Sequence, residues 1–247
     1  MIKAAIGELI GTFILVFIGC GTVGMNVVYG FFPELWQIAL MWGGGVALAI
    51  YLVRPICPAH LNPAVSVGMR IMNGISSKEM IVFIIFQFLG AFIAGESLFC
   101  LFSEGITNYE IEQNMLRNSE QGREVAKMFG EFFSVSHLEA IFFEGIGTFC
   151  LMTIILLTSL VPKKRASYNP VLIGLGLALL IVWIAPFTQA GFNPARDFGP
   201  RIVAFLNGWE WIAFDPTPIK SLLVYILAPI VGAAISVLIW IQLKLKR

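Results

Sequence analysis

"GFNPARDFGPR", residues 191–201, sets an asparagine amide, two arginines, an aspartate and two prolines at the end of a long apolar run. The rest of the chain makes that placement costly. Of 247 residues, 58% are hydrophobic and only 13% are charged, the balance of a membrane protein. The apolar segment around this stretch, about 189–206, is too short to cross a bilayer. Its reading begins with Asn193-Pro194. Asparagine caps helix N-termini, and proline fits the first helical position, where its missing N–H costs nothing. A short helix therefore starts here and stops part-way through the membrane.

Six other stretches supply the roughly 20 apolar residues that a hydrocarbon core about 30 Å thick requires. They lie at about 5–29, 36–53, 81–103, 139–161, 170–188 and 221–243. The N-terminal "MIKAAIGELIGTF" runs straight into the first of these and reads as a retained span rather than a cleaved signal. The fold class is an all-α membrane protein.

The same signal, extended to Asn-Pro-Ala, occurs once more. "HLNPAV" (60–65) matches "GFNPAR" (191–196) in register, and "GVALAI" (45–50) matches "GLALLI" (176–181). "GELIGTFILVF" (7–17) resembles "FEGIGTFCLMT" (143–153), and "LGAFIAG" (89–95) resembles "VGAAISV" (231–237). The chain 1–247 therefore reads as one transmembrane domain built twice: repeat one at about 1–103, a connection at 104–138, and repeat two at about 139–247. Each copy has three spans, so the second enters from the opposite face, an inverted repeat. A second re-entrant segment is then expected at about 57–72, starting at Asn62-Pro63.

Non-helical backbone at mid-membrane is tolerated only where it is buried in protein or lines a watery cavity, so the two breaks point to a pore. Two half-helices meeting N-terminus to N-terminus place roughly half a positive charge each at the centre. That point repels cations, including hydrated protons, while the amides of Asn62 and Asn193 donate to a neutral oxygen. Such a centre filters uncharged polar molecules.

Arg196, in the first turn after Asn193, stands where the helix dipole disfavours a cation. Two roles are open to it: a donor fork that grips passing hydroxyls, or a tie for loop carbonyls. Asp197 complements the dipole, and Arg201 is expected at the outer end of the half-helix, snorkelling or pairing locally. Glu8 and Glu144 occupy equivalent intramembrane positions. A proton relay is one reading; acceptance of loop N–H groups is the favoured one, because the acids occur as a pair. His60 is either a proton sensor or a strut, and Cys57 either a reactive thiol or an ordinary buried cysteine.

Lysines and arginines fix the orientation. Lys3, Arg54, Arg70, Lys78, Lys163, Lys164, Arg165, Lys244, Lys246 and Arg247 share one face, while the 104–138 connection has six glutamates against Arg117, Arg123 and Lys127. Both termini are thus expected to be cytoplasmic. Those glutamates read as a solvated face, with gating of the outer mouth by the 104–138 loop as the alternative, and His137 reads as solvated. No basic tract suggests nucleic acid, and Cys20, Cys57, Cys100 and Cys150 lack the spacing of a disulfide framework or metal site. No metal or cofactor is expected.

With "AHLNPAV", "FNPARD", a glutamate near the start of each half and six spans, the chain resembles the aquaporin and glycerol-facilitator family, the major intrinsic proteins. The resemblance covers nearly the whole chain. It implies a homotetramer of pores in the lipid bilayer that pass glycerol, related small neutral solutes and water. Asp197 after Arg196, and Trp42 in "MWGGGVALAIYL", resemble the glycerol-conducting branch. The family's outer constriction falls on Trp42, Ile181, Ala190 and Arg196, with an apolar wall at Trp42 and donors opposite at Arg196. The pore centre falls on Asn62, Pro63, Ala64, Asn193, Pro194 and Ala195. The loop carbonyls that line the pore fall on Pro58, Ala59, His60, Leu61, Gln189, Gly191 and Phe192. Ile181 and Ala190 stand where bacterial glycerol facilitators typically have glycine and phenylalanine. They resemble instead some plant intrinsic proteins of the nodulin type, which pass glycerol and metalloid acids. Pro58 replaces a customary glycine. Water, urea and metalloid acids therefore remain alternative solutes. A secondary transporter, which also uses inverted repeats, would need an ion-coupling site. A membrane enzyme would need a cluster of nucleophile, base and acid, which the chain does not offer.

Overall fold

The structure, a computed structural model, describes residues 1–245; Lys246, Arg247 and the side chains of Lys163 and Leu245 lie outside the described residues. Every regular element among the described residues is a helix, and six helical segments are long and apolar enough to span a bilayer. These are α1 (Ile2–Tyr29), α2 (Leu35–Val53), α4 (Ser77–Glu112), α6 (His137–Thr158), α7 (Asn169–Thr188), and α9 (Pro218–Leu222) continued through a π turn into α10 (Ala228–Leu245). Two short helices, α3 (Pro63–Ile71) and α8 (Pro194–Ala204), are the half-helices, and α5 (Arg123–Ala126) is a single turn in the long connection.

At about 1.5 Å per residue, α3 and α8 cover roughly half the hydrocarbon thickness. Both start as expected. The Asn62 side chain accepts from the Ala64 N–H, that of Asn193 accepts from the Ala195 and Arg196 N–H groups, and proline follows each cap. Helix α4 runs further than its apolar stretch requires. Its final turns are polar, but they continue the helix beyond the membrane and reach Glu112.

The repeat interlocks. Helix α8 packs against α4, and α3 packs against α10, so each half-helix is held by the third span of the other copy. Helices α2 and α7, equivalent in the two copies, cross at Gly43 and Gly174. A Cβ added at either glycine would stand 2.3 Å from the carbonyl oxygen of the other. Because backbone lies on both sides, nothing can yield. Gly43→Val is therefore expected to cost about 3 kcal/mol or more through overpacking, read as a large drop in Tm in detergent. Gly44→Ala, whose Cβ meets nothing within 4 Å, is expected to leave Tm unchanged. Equal effects of the two would overturn the close crossing.

Candidate functional site: a pore between the half-helices

The two loops that precede the half-helices share one unusual backbone. Ala59 and Leu61 have φ of 57° and 55°, and their repeat equivalents Ala190 and Phe192 have 60° and 53°. A non-glycine residue in the left-handed region costs on the order of 1–2 kcal/mol, so something must hold these loops. Glu8 accepts from the N–H groups of His60 (2.8 Å) and Leu61 (2.7 Å) and from the Gln87 amide (2.8 Å). Glu144 accepts from Gly191 (2.9 Å), Phe192 (2.8 Å) and the Thr188 hydroxyl (2.6 Å). Both acids are fully buried. In both, each carboxylate oxygen accepts from at least one of these donors. His60 is a strut in the same network, its Nδ1 3.1 Å from Ser66 Oγ, and Ser66 also accepts from Gln87. Cys57 is buried against Gly7, where an added Cβ would stand 2.7 Å from its Sγ.

At the centre the copies bond across the pseudo-twofold axis. Asn62 Nδ2 donates to the Phe192 carbonyl (2.9 Å), and Asn193 Nδ2 donates to the Leu61 carbonyl (2.7 Å). Each amide oxygen is spent on its own helix cap. The carboxamides are thereby locked with their N–H groups turned inward, and each keeps one further N–H for a passing oxygen. Pro63, Pro194, Ala64 and Ala195 are buried where the half-helices meet.

Two cavities approach this centre. One, of about 280 Å³, opens on the face that carries the termini and is bordered there by Arg54, Thr158 and Asn169; further in it is lined by Pro58, Ala59, His60, Leu61, Asn62, Ala190, Gly191, Phe192 and Asn193. The other, of about 320 Å³, opens on the face of the 113–136 connection beside Asn26, Glu124, Lys127, Glu131 and Gln189. Trp42, Ile181 and Arg196 line both cavities, and Ala190 lines the first. The partition lies at these side chains, each at most 5% exposed.

The wall is arranged differently from the sequence expectation. Trp42 and Arg196 do not face each other across the opening. The Arg196 guanidinium lies over the Trp42 ring, 4.1 Å from its centroid, a cation–π contact that leaves no room for a solute between them. They form one wall, and Ile181 and Ala190 remain for the other. The indole rests on Gly19 of α1, where any Cβ would come within 2.1 Å of the ring.

Glu131, placed on a solvated face by its sequence context, is 3% exposed and forms an ion pair with Arg196. Its segment is pinned to the pore wall. The Glu131 N–H donates to Asp197 (2.8 Å), its carbonyl accepts from Arg201, and the Phe132 N–H donates to the Gln189 side chain (2.6 Å). Asp197 therefore does more than complement a dipole, since it also accepts from Arg201 at 2.6 and 3.0 Å. Arg201 does not snorkel. It is 1% exposed, because the connection closes over the end of α8. His137 is half-buried and is the first residue of α6, whose cap is Ser136. The signal for Glu131 was faint: one acid inside the apolar run "MFGEFF" (128–133), opposite a half-helix that carries two arginines.

Residues 1–240 match the family described as major intrinsic protein. The chain belongs to that family. Among major intrinsic proteins it is 36% identical over 236 residues to the glycerol uptake facilitator protein of Pseudomonas aeruginosa, spanning 94% of this chain and 85% of the relative. It is 35% identical to that of Escherichia coli K12 over 94% and 84% of the two chains. With the propanediol uptake facilitator of Salmonella typhimurium it shares 32% identity over 97% and 93%. Its fold superposes on the X-ray structure of the aquaglyceroporin from Plasmodium falciparum with a TM-score of 0.83 at 25% sequence identity, covering 97% of this chain and 95% of that one. As a member of this family it is an integral membrane channel protein, not an enzyme.

Proposed function

We propose that this chain is a passive channel for glycerol and similarly small uncharged polyols, with accompanying water, and that Trp42, Ile181, Ala190 and Arg196 form its constriction. The observation that carries this reading is the pair of cavities that meet at Trp42, Ile181 and Arg196. The relatives named as glycerol and propanediol facilitators support the solute class. A linear polyol has a carbon edge for Ile181 and Ala190 on one wall and a hydroxyl edge for Arg196, backed by the Trp42 indole, and the loop carbonyls. Protons and ions are excluded by the two helix N-termini and the inward-turned amides of Asn62 and Asn193. A coupled transporter is disfavoured because Glu8 and Glu144 are consumed by loop donors.

The test is light scattering by proteoliposomes under a glycerol gradient and, separately, under an impermeant osmolyte. Fast glycerol influx is expected, and the double variant Trp42→Ala/Arg196→Ala is expected to change it by about tenfold while raising proton leak, since one lost charged hydrogen bond is worth about a decade in rate. Influx identical in the double variant moves the constriction elsewhere. Fast water without glycerol above empty liposomes makes the chain a water channel whose filter Ile181 closes to polyols. Family membership supports a homotetramer, readable by native mass in detergent, and the lysine and arginine distribution supports cytoplasmic termini.

A further inference from the structure

Arg196 is held by one carboxylate, and that carboxylate belongs to a cluster whose charges do not balance. Glu131, Glu144 and Asp197 are buried beside Arg196 and Arg201, three acids to two bases, none more than 5% exposed. Hydrogen bonds are shared unequally among the acids. Glu144 on α6 has the Thr188 hydroxyl and two loop N–H groups. Asp197 on α8 has both Arg201 contacts and the Glu131 N–H. The Glu131 carboxylate has Arg196 as its one polar partner among the described residues. The remaining titratable neighbours relieve nothing. Tyr225, where α9 leads into α10, donates its phenol to the Thr188 carbonyl, Cys20 on α1 is buried, and Lys127 in the connection is paired with Glu124. The excess negative charge is therefore least supported at Glu131, the acid that lines the connection-face cavity, where bulk protons arrive without crossing the constriction.

We propose that Glu131 is a positioning residue of the constriction, pinning Arg196 onto Trp42 when ionised and releasing it when protonated from the connection-face cavity, so that solute flux depends on pH. The proposal rests on the assignment of Trp42, Ile181, Ala190 and Arg196 as the constriction. An ionised Glu131 takes the Arg196 Nη2 donors and holds the guanidinium flat on the indole. It also neutralises the filter. A neutral carboxyl accepts more weakly, because a charge-assisted hydrogen bond is roughly twice as strong as a neutral one. Arg196 then turns a donor toward the solute, and the wall opposite Ile181 and Ala190 loosens. The direction follows from the environment. Burial pushes the Glu131 carboxyl up to about 8, reinforced by Asp197 and Glu144 and opposed by Arg196. Below that pH Glu131 is neutral and flux is high; above it the pair forms and flux falls.

The experiment measures glycerol influx into proteoliposomes with the same buffer on both faces, from pH 5.5 to 9. In the wild-type chain the rate is expected to fall about threefold to tenfold as pH rises through the transition. Glu131→Gln, whose amide mimics the neutral acid, is expected to give a flat profile at the high rate. Glu131→Asp restores a carboxylate and with it the slope, at a shifted midpoint. A flat wild-type profile, or a wild-type slope retained by Glu131→Gln, overturns the proposal. The double variant Trp42→Ala/Arg196→Ala separates the two assignments. If it changes flux at every pH while the wild-type profile is flat, the constriction stands and the role of Glu131 falls. If it leaves flux unchanged, the constriction itself falls.

Discussion

Glu144→Ala is expected not to accumulate as a folded channel. The carboxylate accepts from the Thr188 hydroxyl and from the N–H groups of Gly191 and Phe192 in a fully buried site. Its removal leaves those donors without partners, at about 1–3 kcal/mol each. The sum, roughly 3–9 kcal/mol, is comparable to the whole stability of an ordinary domain, about 5–15 kcal/mol. The loss also falls on backbone that is already strained, since Ala190 and Phe192 keep positive φ only while their segment is held. Glu144→Gln retains one acceptor oxygen but turns an NH₂ toward a loop N–H, so an intermediate loss is expected. Glu8→Ala, its counterpart in the other copy, strands the His60 and Leu61 N–H groups and the Gln87 amide and is expected to behave alike. Yield after detergent extraction and Tm report the outcome. Wild-type Tm in Glu144→Ala would show that the loops stand without the carboxylate, and the scaffold role would be wrong.

The features that were legible in the sequence are those whose physics is local or repeated. Asn-Pro opens a helix at Asn62, Asn169 and Asn193, and the apolar runs too short to cross that follow the first and the last announced the two half-helices. The shared register of "HLNPAV" and "GFNPAR" then gave the two copies and, with three spans each, their opposite sense. Glu8 and Glu144 were readable as loop holders because chance does not place two buried acids at equivalent points. The parts that were not legible depend on the 113–136 connection, which has no counterpart in either copy. Glu131 lies 65 positions from Arg196 in the chain, and among the five other glutamates of the stretch 104–138 nothing local marks it as buried. The burial of Arg201 follows from the same covering. Its equivalent in the first copy, Arg70, has no such cover and instead bonds Ser77 and Asn73 near the surface. The stack of Arg196 on Trp42 is equally non-local, since it needs both Gly19 beneath the indole and Glu131 beyond the guanidinium.

Asp197→Ala is expected to be the second severe lesion, and to act through that connection. Asp197 and Arg201 are buried at 1% exposure each, with contacts at 2.6 and 3.0 Å. Removing one member of a buried ion pair costs about 3–5 kcal/mol, because the survivor keeps its charge without compensation. Arg201 would retain only the carbonyls of Ala213 and Glu131, and the Glu131 N–H would lose its acceptor. The segment that carries Glu131 would then be held to α8 only through Arg201 and Arg196, and the seat of the Arg196 pair would loosen. Faster proteolysis within 113–136 and a lower Tm should appear together. Asp197→Asn keeps the shape and one acceptor but not the charge, so a smaller loss is expected. The double variant Asp197→Leu/Arg201→Met separates stability from function. Replacing a whole buried pair with apolar side chains is close to neutral for stability, so Tm should recover. The Glu131 N–H still has no acceptor, and glycerol flux should remain altered. Recovery of both Tm and flux would mean that Asp197 only balances Arg201, and that the Glu131 segment is seated by its apolar neighbours Phe129 and Phe132 rather than by the half-helix.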